Sequence, residues 1–308
     1  MSGPLLRAPV LRLAEAGWFR RLATGPLGWR VASRFVAGET LDDAIRVAKA
    51  LDGRRISTIL DHLGEHVTAP EHVSQAIAAY LRALDRIRIE PFLDVQVSVK
   101  LTQLGLDFSH ELAVANMERL LEAAREADTL VMIDMEESGY VDRTLRVFHD
   151  LRTRHERVGV ALQAYLRRTP GDVEALPPGS IVRMVKGAYL EPPEIAYPSR
   201  REVDAAFARL TATLLARGHT VHVATHDPRL LDGAITYVTD RGIPWSRVEF
   251  QMLYGIRRDL QLRLAGDGYP VRVYVPYGTE WYPYLTRRLA ERPANMWFFV
   301  SNLVRFGR

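Results

Sequence analysis

The chain has 308 residues, 47% hydrophobic and 25% charged, the composition of a soluble, cored protein rather than a disordered one. With 41 basic against 37 acidic residues the formal charge is only +4, and no basic stripe with interleaved aromatics stands out, so no nucleic-acid partner is expected. Cysteine is absent, which excludes disulfides, thiolate nucleophiles and cysteine-ligated metals, while the length allows one large domain or two ordinary ones.

From the N-terminus, Arg7, Arg12, Arg20, Arg21, Arg30 and Arg34 lie among Leu, Val, Trp18 and Phe19. The stretch is basic and amphipathic, but Glu15 interrupts it and it lacks the continuous apolar core of a secretory signal. It reads first as helices packed on the body of the protein, second as a membrane-surface helix, and only third as a transit peptide. No apolar run approaches the roughly 20 residues needed to span a bilayer. A cytoplasmic protein is therefore expected, with peripheral contact at the inner face of the cell membrane as the alternative this segment leaves open. Thr40-Leu41-Asp42-Asp43 has the form of a capping box, opening a helix that runs toward Leu51 and stops at Gly53.

Beyond Arg54, short β-rich runs alternate with longer helical patterns, the signature of parallel βα units. The strands are predicted at Ile56–Leu60, Asp94–Lys100, Leu130–Met135, Val160–Tyr165, Ile181–Lys186, Thr220–Thr225, Val248–Leu253 and Val271–Val275. Helical patterns such as Glu111–Ala127 and Arg201–Arg217 fill the gaps, and a last helix is predicted from Glu280 to Arg292. This is the pattern of an α/β protein, a TIM-like (β/α)8 barrel, with an open doubly wound sheet as the alternative. The expected division is an N-terminal helical segment over 1–53, a catalytic barrel over 54–292 and an apolar tail over 293–308.

Within the strands the alternation is informative. Val95, Val97 and Val99 share one face, and Gln96, Ser98 and Lys100 the other; Val271, Val273 and Val275 oppose Arg272 and Tyr274. Asp134, Gln163, Arg183, His222 and Gln251 continue a polar face through other strands. Such faces are expected to point into the barrel, where an unpaired polar group costs a few kcal/mol. Either they pair with one another or they answer to a polar ligand at the mouth, and the ligand is preferred, because barrel sites form at the carboxyl ends of strands.

Lys100, Asp134, Arg183 and Tyr274 all sit at or near such ends. Arg183-Met184-Val185-Lys186-Gly187-Ala188-Tyr189 runs from strand into loop, and Gly187-Ala188 leaves backbone uncovered for a flat ligand, although an ordinary βα turn would look the same. Tyr284, Arg287, Arg288 and Glu291 fall at i, i+3, i+4 and i+7 on one helix face. Two adjacent guanidiniums there could clamp a carboxylate, with Glu291 meeting an ammonium; the alternative is a solvated face with a weak Arg287–Glu291 pair. His219, His222 and His226 do not suit a metal, since the first two point to opposite strand faces and the last two would lie about 13 Å apart if extended. Gly266-Asp267-Gly268 lacks the rest of a dinucleotide fingerprint.

Taken in order, Leu60-Asp61-His62-Leu63-Gly64-Glu65, Ser98-Val99-Lys100-Leu101, Ile133-Asp134-Met135-Glu136, Gln163-Ala164-Tyr165, the Arg183–Tyr189 run, Ala224-Thr225-His226 and Tyr284-Leu285-Thr286-Arg287-Arg288-Leu289-Ala290-Glu291 resemble the motifs of the proline dehydrogenase family, in its short monofunctional bacterial form. The resemblance runs from about Thr40 to Arg292. It implies FAD at the carboxyl mouth of the barrel and oxidation of L-proline to Δ1-pyrroline-5-carboxylate, with electrons passed to a membrane quinone. It further implies that Lys100, Arg287 and Arg288 hold the proline carboxylate, that Glu291 faces the proline nitrogen, and that Tyr189, Leu253, Tyr274 and Tyr284 shape the pocket. Asp134 lies beside Lys100 in this scheme, and Gln163, Arg183, Val185, Lys186, Gly187, Ala188, Thr225 and His226 contact FAD, with Arg183 near the reactive flavin nitrogen.

Asp227 departs from the family pattern, where an uncharged amide is expected after Thr225-His226. No aldehyde dehydrogenase segment follows, so the second oxidation is assigned to a separate protein. The basic N-terminus and the apolar 296–304 segment are where membrane contact would arise, and ordinary packing explains both equally. The competing readings are a Schiff-base aldolase or lyase using Lys100 or Lys186, and a non-catalytic carboxylate-binding module using Arg287 and Arg288.

Overall fold

The computed structural model describes Trp29, residues 32–64 and residues 67–291, the last five by backbone alone. Eight parallel strands close into a barrel in chain order: β1 (Ser57–His62), β2 (Val95–Val99), β3 (Val131–Ile133), β4 (Val158–Gln163), β5 (Ile181–Val185), β6 (Thr220–Ala224), β7 (Val248–Leu253) and β8 (Val271–Tyr277). β1 pairs with β2 on one side and β8 on the other, so no edge is left. The doubly wound alternative is thereby removed.

Strand periodicity explains why the barrel forms. Val95, Val97 and Val99 are buried outward in the core shared with the helical ring. That ring comprises α1 (Leu41–Asp52), α2 (Pro70–Arg88), α3 (His110–Glu126), α4 (Val141–Arg152), the short α5 (Thr169–Glu174), α6 (Arg200–Ala216), α7 (Pro228–Asp240), α8 (Arg258–Gly266) and α9 (Trp281–Glu291). Each valine removed from water in this way contributes roughly 1.5–3 kcal/mol before entropy is counted. Ser109 and Ser199 cap α3 and α6 with side-chain oxygens that accept the N–H of Leu112 and Glu202.

Local differences from the sequence reading have local causes. The capping box at Thr40 and Asp43 forms as expected. Gly53, however, stays right-handed, and the reversal falls two residues later at Arg55, with φ 60°. β4 lies two residues earlier than predicted: Tyr165 leaves the strand because its carbonyl accepts from Tyr197 N, while Leu166 bridges Ala196 in the loop after β5. At its other end Gly159 extends the strand, its bare Cα facing Met132.

At the barrel end where β1 and β8 exit, Ala37 N–H donates to Pro276 O and Gly278 N–H to Gly38 O. Ala32, Val36, Leu63, Trp281, Tyr282, Tyr284 and Leu285 form one apolar cluster there, with Trp29 edge-on to Trp281. No helix among the described residues is long and apolar enough to cross a membrane. The basic residues from Arg7 to Arg30 and the 293–308 tail lie outside the described residues.

Candidate active site

The inward polar faces converge on a buried cluster at the carboxyl ends of the strands. Lys100 and Asp134 immediately follow β2 and β3, Arg183 projects from β5 and Tyr274 from β8. Lys100 Nζ lies 2.9 Å from Asp61 Oδ1 and 3.7 Å from Asp134 Oδ2. Asp134 also accepts hydrogen bonds from Arg183 Nη1, from Ser98 Oγ at 2.8 Å and from Tyr274 Oη at 2.7 Å. The Arg183 guanidinium lies 5.2 Å from the centre of the Tyr274 ring. Burial works to raise the Asp134 carboxyl, but Arg183 and Lys100, with the Tyr274 and Ser98 hydrogen bonds, outweigh it and hold the group below its ordinary value. Burial, reinforced by the Asp134 charge, pushes the Tyr274 phenol well up, so it remains an O–H donor.

A second layer lies beneath. Arg272, 3% exposed, donates Nε to Glu249 at 2.9 and 3.0 Å, Nη2 to both Asp94 oxygens at 2.9 Å, and Nη1 to the carbonyls of Thr58 and Asp94. Gln251 Nε2 reaches Glu249 Oε1 at 2.7 Å and His222 Nδ1 at 2.9 Å, and Gln251 Oε1 accepts from Arg183 Nε at 2.7 Å. The inward polar groups thus pair extensively with one another, contrary to the preference for a ligand as their main partner. The sequence reading assigns no role to Asp61, Asp94 or Glu249. Strand parity offers a signal, because Asp61 shares a face with Ile59 and Glu249 with Gln251.

The floor makes a pH prediction. Burial holds His222 at about 4, against an ordinary 6.5, with Glu249 opposing the shift. Between those values the unfolded chain binds the proton more readily than the native one, so native stability falls as pH drops through the window and levels off below it. From pH 7 to pH 5 the loss from this residue should be about 2 kcal/mol. Urea midpoints at the two pH values should converge in His222→Asn relative to wild type; equal pH dependence in both proteins would contradict the assignment.

Besides Gln96 Oε1 on β2, two buried side-chain atoms of the inward face, Arg183 Nη2 and Gln163 Oε1, have no hydrogen-bond partner among the described residues. They belong to neighbouring strands, β4 and β5. Two residues beyond β5 the backbone turns at Gly187, with φ 114°, where a Cβ would fall 2.1 Å from the Tyr165 ring. At Gly187 the Cβ face is therefore filled by Tyr165 rather than left uncovered for a flat ligand. Val185 O accepts from Ala164 N and Lys186 O from Tyr165 N, while Ala188 and Tyr189 lie half-buried in the following loop.

The other expected cofactor residues form a separate group. Lys186 pairs with Asp204 and lies 3.5 Å from Asp227. Asp227 N-caps α7 and donates its N–H to Thr225 Oγ1. Hydrogen bonding from Arg229, aided by Lys186, holds the Asp227 carboxyl well below the usual range. His226 Nε2 accepts the Leu253 N–H at 2.9 Å, which in a neutral ring leaves the proton on Nδ1. No group of three or more His, Cys, Asp or Glu able to hold a metal occurs among the described residues. Tyr284 is buried in the apolar cluster of α9, whereas the side chains of Arg287, Arg288 and Glu291 lie outside the described residues, as does Glu65.

A closed (β/α)8 barrel with a buried carboxylate, guanidinium and ammonium gathered at its carboxyl end has the architecture of a barrel enzyme. The family model for proline dehydrogenase matches residues 44–300, and the chain belongs to the proline dehydrogenase family. Proline dehydrogenase of Deinococcus radiodurans is 40% identical over 316 residues, covering 99% of this chain and all of that protein. Proline dehydrogenase 1 of Bacillus subtilis is 39% identical, covering 89% of this chain and 91% of the relative. The structure of proline utilization A from Bdellovibrio bacteriovorus inactivated by N-propargylglycine matches with a TM-score of 0.79 at 27% identity, over 85% of this chain and only 32% of that longer protein.

Proposed function

We propose that this protein oxidises L-proline to Δ1-pyrroline-5-carboxylate, using FAD held at the carboxyl mouth of the barrel and passing the electrons to a membrane quinone. The observation that carries the proposal is the presence, on neighbouring inward-facing strands, of two buried polar atoms without a hydrogen-bond partner among the described residues, Arg183 Nη2 and Gln163 Oε1. Buried donors and acceptors normally find partners, so an orphaned donor and an orphaned acceptor fit a cofactor rich in hydrogen-bonding groups. When bound, the flavin supplies the acceptor for a hydride from the proline ring.

The residues around it bind and orient. Lys100, fixed by Asp61, is assigned to the proline carboxylate together with Arg287 and Arg288, and Glu291 to the proline nitrogen. Tyr189, Leu253, Tyr274 and Tyr284 are assigned to the pocket walls. Arg183 would supply a cation beside the bound flavin, and Asp134 holds it next to Lys100. Tyr274 Oη keeps its proton and donates it to Asp134 Oδ2. Gln163, Val185, Lys186, Gly187, Ala188, Thr225 and His226 are assigned to the cofactor, with residues 54–292 as the catalytic unit. Of these, Lys186 is already paired with Asp204 and Asp227. A separate aldehyde-oxidising enzyme would consume the product.

Both lysines of the Schiff-base alternative are ion-paired with carboxylates, the reverse of the desolvated or cation-flanked setting that frees an amine for attack. The proposal is tested by turnover of the FAD-replete protein with a water-soluble quinone in place of the lipid one. L-proline should drive reduction of the quinone, and D-proline should not; no reduction with either would contradict the assignment.

A further inference from the structure

Beneath the cluster assigned to the reaction, one side chain joins two buried ionic layers. Gln251 is 3% exposed and uses both ends of its amide: Nε2 toward Glu249 Oε1 at 2.7 Å and His222 Nδ1 at 2.9 Å, Oε1 toward Arg183 Nε at 2.7 Å. The orientation is not interchangeable. With the amide reversed, its nitrogen would face the Arg183 Nε–H, donor against donor, and its oxygen would face the Glu249 carboxylate. Glu249 is itself held by Arg272, which is locked to Asp94 and two backbone carbonyls.

We infer that Gln251 is a positioning residue for Arg183: Glu249 and His222 take both of its amide hydrogens, so its carbonyl must grip Arg183 Nε, directing Nη1 to Asp134 and leaving Nη2 for the cofactor. The inference rests on the flavin reading for what Nη2 meets, but not for how Arg183 is held. His222 serves here as an acceptor. Because Glu249 and Arg183 fix which end of the amide faces His222, Nδ1 must accept and the ring proton sits on Nε2. Burial keeps the ring neutral into the acid range, so that Nδ1 is not protonated as well. Rigid placement matters because a guanidinium compensates developing charge only if it need not reorganise during the reaction.

The test uses full-length protein with Gln251→Met, which keeps volume and removes both polar ends, alongside His222→Asn, which returns an acceptor near the Nδ1 position, and His222→Phe, which does not. In Gln251→Met, kcat should fall about tenfold to a hundredfold while KM for L-proline stays within about threefold, since the lost contact acts on the cofactor side. The bound flavin should become harder to reduce, seen as a more negative midpoint potential. His222→Phe should move both readouts the same way, and His222→Asn should restore them toward wild type. A merely structural role would not give that rescue. In flavin-free, arginine-15N-labelled protein, the slowly exchanging Arg183 Nε–H signal should be lost in Gln251→Met. Wild-type kcat, potential and Nε–H signal in that variant would overturn the inference. Should Gln251→Met fail to fold, identical behaviour of the two His222 variants would overturn it instead. Wild-type protein that neither retains flavin nor oxidises proline would defeat the proposed function, while the Nε–H signal would still decide the role of Gln251.

Discussion

Asp134→Asn is expected to destabilise the protein by about 3–5 kcal/mol at neutral pH, the cost of leaving buried cations without their counter-charge. The native carboxylate faces Arg183 and Lys100 at once and accepts from Tyr274 and Ser98. Asparagine preserves the shape but brings an amide N–H toward donors. Because the folded Asp134 carboxyl sits below its ordinary value, its stabilising effect is complete above about 3.8 and fades as pH falls through the lower folded value. The stability gap between wild type and variant, measured by urea unfolding, should therefore be wide at pH 7 and shrink in strong acid. Activity should fall about 10²–10³-fold, because Arg183 loses the group that aims it. A gap below about 1 kcal/mol at pH 7 would show that the cluster is not a tightly coupled buried ionic knot.

Gly187→Ala carries the second large effect. At φ 114° a side chain is strained by roughly 1–3 kcal/mol whatever the space around it, and here the new methyl would also meet the Tyr165 ring at 2.1 Å. A total near 2–4 kcal/mol is expected, with loss of FAD retention as the βα turn moves away from Arg183 and Gln163. Adding Tyr165→Ala should relieve the collision but not the backbone strain, so the double variant should regain only part of the loss. Thermal unfolding and flavin content of the purified proteins check both statements; an alanine variant with native melting temperature and full flavin content would contradict them.

The barrel was legible because two periodicities coexist in the sequence. Valines at Val95, Val97 and Val99 mark the helix-facing side of β2, so Ser98 and Lys100 must point the other way, and the same parity selects Arg183, Gln251, Arg272 and Tyr274. What parity does not give is partnership. Lys100 meets Asp61 from 39 residues away and Arg183 meets Ser98 from 85, distances in sequence that only barrel closure and register join. Hence the polar interior suggests a ligand from sequence alone, whereas the fold supplies it with internal ion pairs and leaves a few atoms over, Arg183 Nη2 and Gln163 Oε1 among them. The shift of β4 was hidden for a similar reason: Tyr165 is drawn out of the strand by Tyr197 and the loop containing Ala196, both beyond β5. Gly53 misleads in another way, since a glycine near a helix end permits a left-handed turn without requiring one, and the turn is made at Arg55. Asp227 is the departure with a visible consequence: its charge caps α7 and pairs with Lys186 and Arg229, where a neutral amide could only hydrogen-bond.

The most direct measurement is the absorbance of the purified, FAD-loaded protein under anaerobic conditions as L-proline is added. The flavin band should bleach in proportion to proline and recover when a quinone is supplied. Flavin that binds at the mouth yet stays oxidised at saturating L-proline would contradict the assignment of this site to proline oxidation.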